Sequence, residues 1–197
     1  WAAFLKSLVK RGLRGVKLVV SDAHEGLKAA IARVLGATWQ RCRVHWMRNA
    51  LAHVGRAQQS MASAALRQAF LQPDQASARQ TWRHVADQLR PRWPKLGKLM
   101  DESEDDVLAY MAFPAQHRTK LHSVNTLERL NKEVKRRADV VGIFPSEASI
   151  IRLIGAVLLE ANDEWQMQHR YMGVEAMGDM LNPPSTNETL QLPPKAA

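Results

Sequence analysis

Apolar positions near the start of the chain recur at helical spacing. Phe4, Leu5, Leu8 and Val9 form one stripe, and Gly12 or Gly15 ends the helix it predicts. Val16-Lys17-Leu18-Val19-Val20 then switches to a β-branched run that closes at Ser21-Asp22, the signature of a strand. Leu27, Ala30, Ile31, Val34 and Leu35 return to helical spacing, with Gly36 as the stop. Thr38 to Cys42 is short enough for a second strand, and Trp46, Met47, Ala50, Leu51 and Val54 mark a third helix. Helix, strand, helix, strand, helix is the rhythm of an α/β sheet with crossover connections, and the handedness rule favours parallel neighbours.

The strand signal stops at about Gly55. Residues 56–72, rich in Ala, Gln and Met, predict a helix. Pro73-Asp74 starts another, whose stripe Ala78, Trp82, Val85 and Leu89 stops at Pro91. A third helical stretch, from near Glu102 to Met111, is expected to carry its acids at the N-terminal end, as a helix dipole prefers, and to end before Pro114. Two more helices follow, Thr126 to about Ala138 and Ser146 to about Trp165. The second bears Ile150, Ile151, Leu153, Ile154, Val157 and Leu158, too broad an apolar surface for an outer helix, so it is expected to lie buried against the sheet. Beyond Met172, Pro183-Pro184 and Pro193-Pro194 predict a disordered tail. No internal repeat is found. The expected division is a core at 1–54, an all-helical insertion at 55–115, C-terminal core helices at 116–171 and a tail at 172–197.

Composition narrows the function classes. The 197 residues are 46% hydrophobic and 24% charged, near the globular average. No apolar run reaches the roughly 18 residues a membrane span needs. No signal-peptide pattern opens the chain, since Lys6, Lys10, Arg11 and Arg14 interrupt its apolar stretch. The single cysteine, Cys42, excludes an internal disulfide and fits a reducing, cytoplasmic compartment. A net charge of +9 points to a polyanionic partner such as nucleic acid. The first residue is Trp1 rather than Met, which suggests a fragment.

Two acids and one short motif are the chemical candidates. Asp22 closes an apolar strand, where α/β sheets place ligands, although a cap on the Leu27 helix is an equally ordinary duty for it. Glu128 shares a helix with Lys132, Lys135, Arg136 and Arg137, a carboxylate among cations that suits a metal and a phosphate. Asn125-x-x-Glu128 is also the form of a capping box, and the cations also fit a solvated face. Cys42-Arg43-Val44-His45 has the spacing of half a structural zinc site. With no second Cys, the expectation is a buried Cys42 and a hydrogen-bonding His45. Trp39, Trp46, Trp82 and Trp93 fit core packing better than base stacking. Serine or cysteine nucleophile motifs, a P-loop and a dinucleotide fingerprint are all missing.

Four longer strings are more specific. Val19-Val20-Ser21-Asp22-Ala23-His24-Glu25-Gly26-Leu27, Gln40 to His45, Asn125 to Arg137 and Val141 to Glu147 resemble the Mutator-type insertion-sequence transposases of bacteria, in the right order. The resemblance runs from near Trp1 to about Tyr171. It implies a ribonuclease-H-like α/β core with a helical insertion and an Asp-Asp-Glu triad that binds Mg²⁺ or Mn²⁺. Asp22 matches the second Asp of that triad and Glu128 its Glu, and 106 positions separate the two. Cys42 and His45 match a family C-x2-H feature. Lys132, Lys135, Arg136 and Arg137 would hold DNA phosphates. The implied activity is DNA cleavage and strand transfer at element ends and target, by an enzyme that is a homo-oligomer when full length.

The first Asp of the triad has no counterpart here, because residues 1–21 contain no Asp or Glu. The chain therefore reads as the C-terminal portion of a transposase, inactive by itself. Two rival readings stand beside it. One is a catalytically dead remnant that only binds DNA or interferes with the intact enzyme. The other is a helical interaction module whose charge only keeps it in solution.

Overall fold

The two runs expected to be strands pair as their rhythm predicts. In the computed structural model, which describes residues 1–167, β1 (Leu18–Ser21) and β2 (Thr38–Arg41) run parallel, with Leu18 opposite Thr38 and Ser21 opposite Arg41. Their crossover is α2 (Glu25–Leu35), closed by Gly36 in the left-handed region at φ 58°. A side chain there would be strained. α1 (Ala2–Lys10) packs on α2. The chain is thus an α/β structure dominated by helix. Among the described residues no helix is long and apolar enough to cross a membrane.

Alternation along the strands separates two cores. Val19 and Trp39 face α1 and α2, where they join Leu5, Ala30 and Ile31 in a small cluster. Leu18 turns to the opposite side and packs on a much larger helical core. That core collects α3 (Arg43–Leu51), α4 (Gln59–Phe70), α5 (Gln75–Leu89) and α6 (Pro94–Leu108). Trp46 and Trp82 lie at its centre, fully buried, with ring centroids 4.7 Å apart. Each indole N–H finds an acceptor, Ser103 Oγ at 2.7 Å for Trp46 and the Met100 carbonyl at 3.0 Å for Trp82. Trp39 is also buried, so these aromatics pack the interior as expected.

Gln40 fastens the helical region to the sheet. Its buried amide donates to the carbonyls of Val107 at 2.9 Å and Arg41 at 2.7 Å and accepts from the Tyr110 N–H at 2.8 Å. The Val107 and Tyr110 groups belong to the end of α6 and the 3-10 turn after it (Ala109–Ala112), where helix geometry leaves backbone groups without partners.

Several expectations are corrected. α6 begins at Pro94 rather than near Glu102, so its acids fall in its C-terminal half, against the dipole. They are compensated by cations from elsewhere: Arg79 and Arg83 both reach Glu104 at 2.9 Å, Arg90 reaches Asp101 at 2.6 Å, and Lys28 reaches Asp106 at 2.7 Å. α7 (Ala115–Leu121) was not foreseen, since its seven residues are too few to display a periodicity. α9 (Glu147–Met167) packs on α8 (Asn125–Val141) instead of being buried against the sheet. Only Val157 of α9 is buried, while Ile151 and Leu159 are each 61% exposed. A two-stranded sheet is too narrow to cover so broad a stripe. The expected tail, 172–197, lies outside the described residues.

Candidate active site

Equal registers bring Asp22 and Cys42 side by side. Ser21 and Arg41 are the last paired residues of adjacent parallel strands, so Asp22 and Cys42 are the first residues beyond the same sheet edge. The Cys42 N–H donates to the Ser21 carbonyl at 2.8 Å, which carries the ladder one step further. This is the crevice at the carboxyl ends of strands where α/β folds place their chemistry. Asp22 does not cap α2. His24 does so, its Nδ1 accepting from the Leu27 N–H at 3.1 Å, and the Asp22 carboxylate stays 61% exposed.

Cys42 turns the chain from β2 into α3, and His45 follows within the first turn. The imidazole joins acids that are remote in sequence: Nδ1 lies 2.5 Å from Asp22 Oδ1, and Nε2 lies 3.0 Å from Glu128 Oε1. The ring is only 22% exposed. Nδ1 is buried and, despite that close approach, has no hydrogen-bond partner in a favourable direction. Cys42 is fully buried, as expected, with a free thiol. Asp22, Cys42 and His45 each place one donor atom within 4.8 Å of the others, and they are the one such trio of metal-binding side chains among the described residues. Glu128 stands outside that trio, at the other ring nitrogen.

Glu128 is delivered by α8. No capping box forms: Val124 is the N-cap, Asn125 is already the first helical residue, and no side chain caps this end. Glu128 is therefore 48% exposed and free to face His45. The backbone ties the two halves of the site together, since the Arg43 N–H donates to the His122 carbonyl at 2.8 Å, just ahead of α8. An apolar cavity of about 420 Å³ lies beneath, between Val20 of β1 and Leu127 and Leu130 of α8.

The basic cluster divides into two pairs. Arg136 and Arg137 both bond Glu133, at 2.6 and 2.8 Å, and Arg137 also reaches Glu160 at 3.3 Å. Hydrogen bonds from Arg136 and then Arg137 pull the Glu133 carboxyl down to about 2. Lys132 and Lys135 are exposed and make no ion pair among the described residues. Lys132 and Lys135 lie one and two turns beyond Glu128, on roughly its face of the helix.

Three further residues stand near the site. Arg41, at the end of β2, is pulled below its ordinary value by burial, which the charges of Asp106 and Asp22 oppose. Tyr110 receives a 3.4 Å hydrogen bond from Arg43 and packs 5.9 Å from the His122 ring. Burial raises the Tyr110 phenol and lowers the His122 imidazole. Arg41 lies within the Gln40–His45 string and could have been suspected from it. Tyr110 and His122 depend on tertiary approach alone.

Comparison with known proteins bears on this geometry. The family model described as Transposase, Mutator family matches residues 1–168. The chain is 47% identical over 178 residues to the transposase for insertion sequence element IS1081 of Mycobacterium tuberculosis, covering 90% of this chain and 43% of that protein. It is 40% identical over 176 residues to the transposase for insertion sequence element ISRM5 of Rhizobium meliloti, covering 89% and 44%. It is 38% identical over 168 residues to the transposase for insertion sequence element IS256 in transposon Tn4001 of Staphylococcus aureus, covering 84% and 43%. The chain thus spans less than half the length of each of these relatives.

Proposed function

The chain belongs to the Mutator family of transposases, and we propose that it forms the later part of a ribonuclease-H-like catalytic domain for metal-dependent DNA cleavage and strand transfer. One observation carries the reading. Two acids 106 positions apart, at a strand end and on a late helix, meet at the two nitrogens of one imidazole. Neither acid is spent on the capping duty that would explain it otherwise.

The donor types suit a divalent cation, and the His45 ring between the two carboxylates keeps them from sharing one ion as they stand. Asp22 and Glu128 offer partly exposed carboxylate oxygens, the hard donors that suit Mg²⁺ or Mn²⁺. The unsatisfied Nδ1 of His45 marks a place where a buried donor lacks its partner. When bound, such an ion supplies charge stabilisation to the phosphoryl oxygens of the scissile bond.

The protein's own groups do the rest. His45 lies between the two carboxylates and keeps them from closing on each other. Lys132 and Lys135 bind backbone phosphates and set the strand's path along α8. Arg41, partly buried, lies within electrostatic reach of Asp106 and Asp22 and adds positive charge near the crevice. Contacts of this kind are salt-sensitive and carry little sequence information.

Residues 1–21 contain no Asp or Glu, so these 197 residues supply two of the three acids expected of the triad. The 197-residue chain alone is therefore expected to be inactive in strand transfer. The test is substitution of the aspartate equivalent to Asp22 by Asn in a full-length relative. Lost cleavage with retained DNA binding supports the reading, and undiminished cleavage refutes it.

A further inference from the structure

The site contains more than a Mg²⁺ centre requires. Mg²⁺ takes oxygen ligands and has little use for a thiol, yet Cys42 Sγ lies in the same 4.8 Å trio as Asp22 and His45. The thiol is fully buried and makes no hydrogen bond among the described residues. Thiolate, imidazole and carboxylate are the donors of zinc sites that keep a fourth position open. At zinc bond lengths, tetrahedral ligands stand roughly 3.4–3.6 Å apart. To reach that spacing the sulfur side must contract by up to about 1.3 Å and Asp22 and His45 must open by about 1 Å.

The second shell is also present. A metal-bound histidine usually has its other nitrogen oriented by a carboxylate, which fixes the ring. Here Nδ1 is buried, without an aligned partner and turned to Asp22, while Nε2 stands 3.0 Å from Glu128. Glu128 is thus placed as the outer carboxylate of a carboxylate–histidine–metal arrangement.

We propose that Asp22, Cys42 and His45 form a site for a thiophilic divalent cation of the Zn²⁺ class, oriented by Glu128, whose occupancy withdraws Asp22 from Mg²⁺. Binding forms metal–sulfur, metal–nitrogen and metal–oxygen bonds, and the thiol proton passes to the buffer. Zn²⁺ would therefore inhibit an intact enzyme by engaging one of its catalytic acids. That consequence rests on the function proposed above, whereas the binding itself does not.

The test uses the 197-residue chain and Co²⁺ as a coloured substitute for Zn²⁺. Cys42 is the only cysteine in the sequence, so any thiolate-to-cobalt charge-transfer band reports on it directly. The expected result is one Co²⁺ per chain with that band, bleached by stoichiometric Zn²⁺ and unmoved by a large excess of Mg²⁺. Asp22→Asn should weaken the Co²⁺ affinity by more than the roughly 10–100-fold that loss of an outer-shell partner costs. Glu128→Gln should keep the band. A folded chain saturated with Co²⁺ but lacking the band overturns the proposal, as does bleaching by Mg²⁺. The two readings fail separately. A missing band leaves the cleavage defect of the Asp22 substitution intact, and cleavage insensitive to Asp22 leaves the band intact.

Discussion

Gln40→Met tests how the helical region is joined to the sheet that carries the site. Methionine is close to glutamine in length and fills the same buried space, so packing is nearly kept. The substitution removes the donor to the Val107 carbonyl and the acceptor for the Tyr110 N–H. Both backbone groups lie at a helix end where intrahelical partners are lacking. A buried polar group left without a partner costs about 1–3 kcal/mol. Two such groups, less what a second carbonyl lone pair can recover, give a loss of about 2–4 kcal/mol. With a urea slope near 2 kcal/mol/M, the unfolding midpoint should fall by about 1–2 M at unchanged slope. Exchange of the Tyr110 amide should accelerate in the same variant. Gln88→Met, at an exposed position, is the control and should leave both quantities alone. A midpoint within about 0.3 M of wild type for Gln40→Met would refute the clamp.

Four further outcomes are expected. Trp46→Ala removes a fully buried ring packed at a 40° tilt on Trp82 and a hydrogen bond to Ser103, and should cost about 3–5 kcal/mol in thermal or chemical unfolding. Lys132→Ala should weaken duplex DNA binding and lower its salt slope by about one, whereas Arg136→Ala, already neutralised by Glu133, should change it less. Glu133→Gln frees Arg136, while Arg137 keeps Glu160, and should tighten DNA binding at low salt. Burial holds the His122 imidazole below its ordinary value, so the unfolded chain takes up a proton first as pH falls. Stability from this residue is full above about 6.5 and is lost as pH drops toward the lower folded value. The acid limb of unfolding should be shallower in His122→Asn than in wild type.

The parts of the fold governed by local periodicity were legible in the sequence. The β-branched run ending at Ser21 and the short run ending at Cys42, with an apolar helix and Gly36 between them, specify a parallel pair because a crossover leaves little alternative. The Ala78–Leu89 stripe and the buried tryptophans were legible for the same reason. What periodicity cannot convey is which surface a helix meets. α9 has an apolar face broad enough for a core, and its neighbours in this chain cover only Val157 well. The site was half legible. Asp22 and Cys42 could be placed on one sheet edge once the two strands were aligned. Glu128 could be linked to them only by resemblance, because its approach to His45 depends on where α8 packs. The role of His45 was not legible at all. The spacing C-x2-H suggests a metal motif with half its ligands missing, and only the tertiary structure brings Asp22 near Cys42 and His45 and Glu128 to the other ring nitrogen.

The central claim, that Asp22 and Glu128 are ligands of the reactive metal, is tested most directly by changing the ligand atom rather than removing it. In a full-length Mutator-family transposase, the positions equivalent to Asp22 and Glu128 are replaced one at a time by Cys, and DNA cleavage is measured in Mg²⁺ and in Mn²⁺. Sulfur is a poor ligand for Mg²⁺ and a better one for Mn²⁺. Each variant should be inactive in Mg²⁺ and regain part of its cleavage in Mn²⁺, with DNA affinity unchanged. Full activity of either variant in Mg²⁺ would contradict metal ligation at that position.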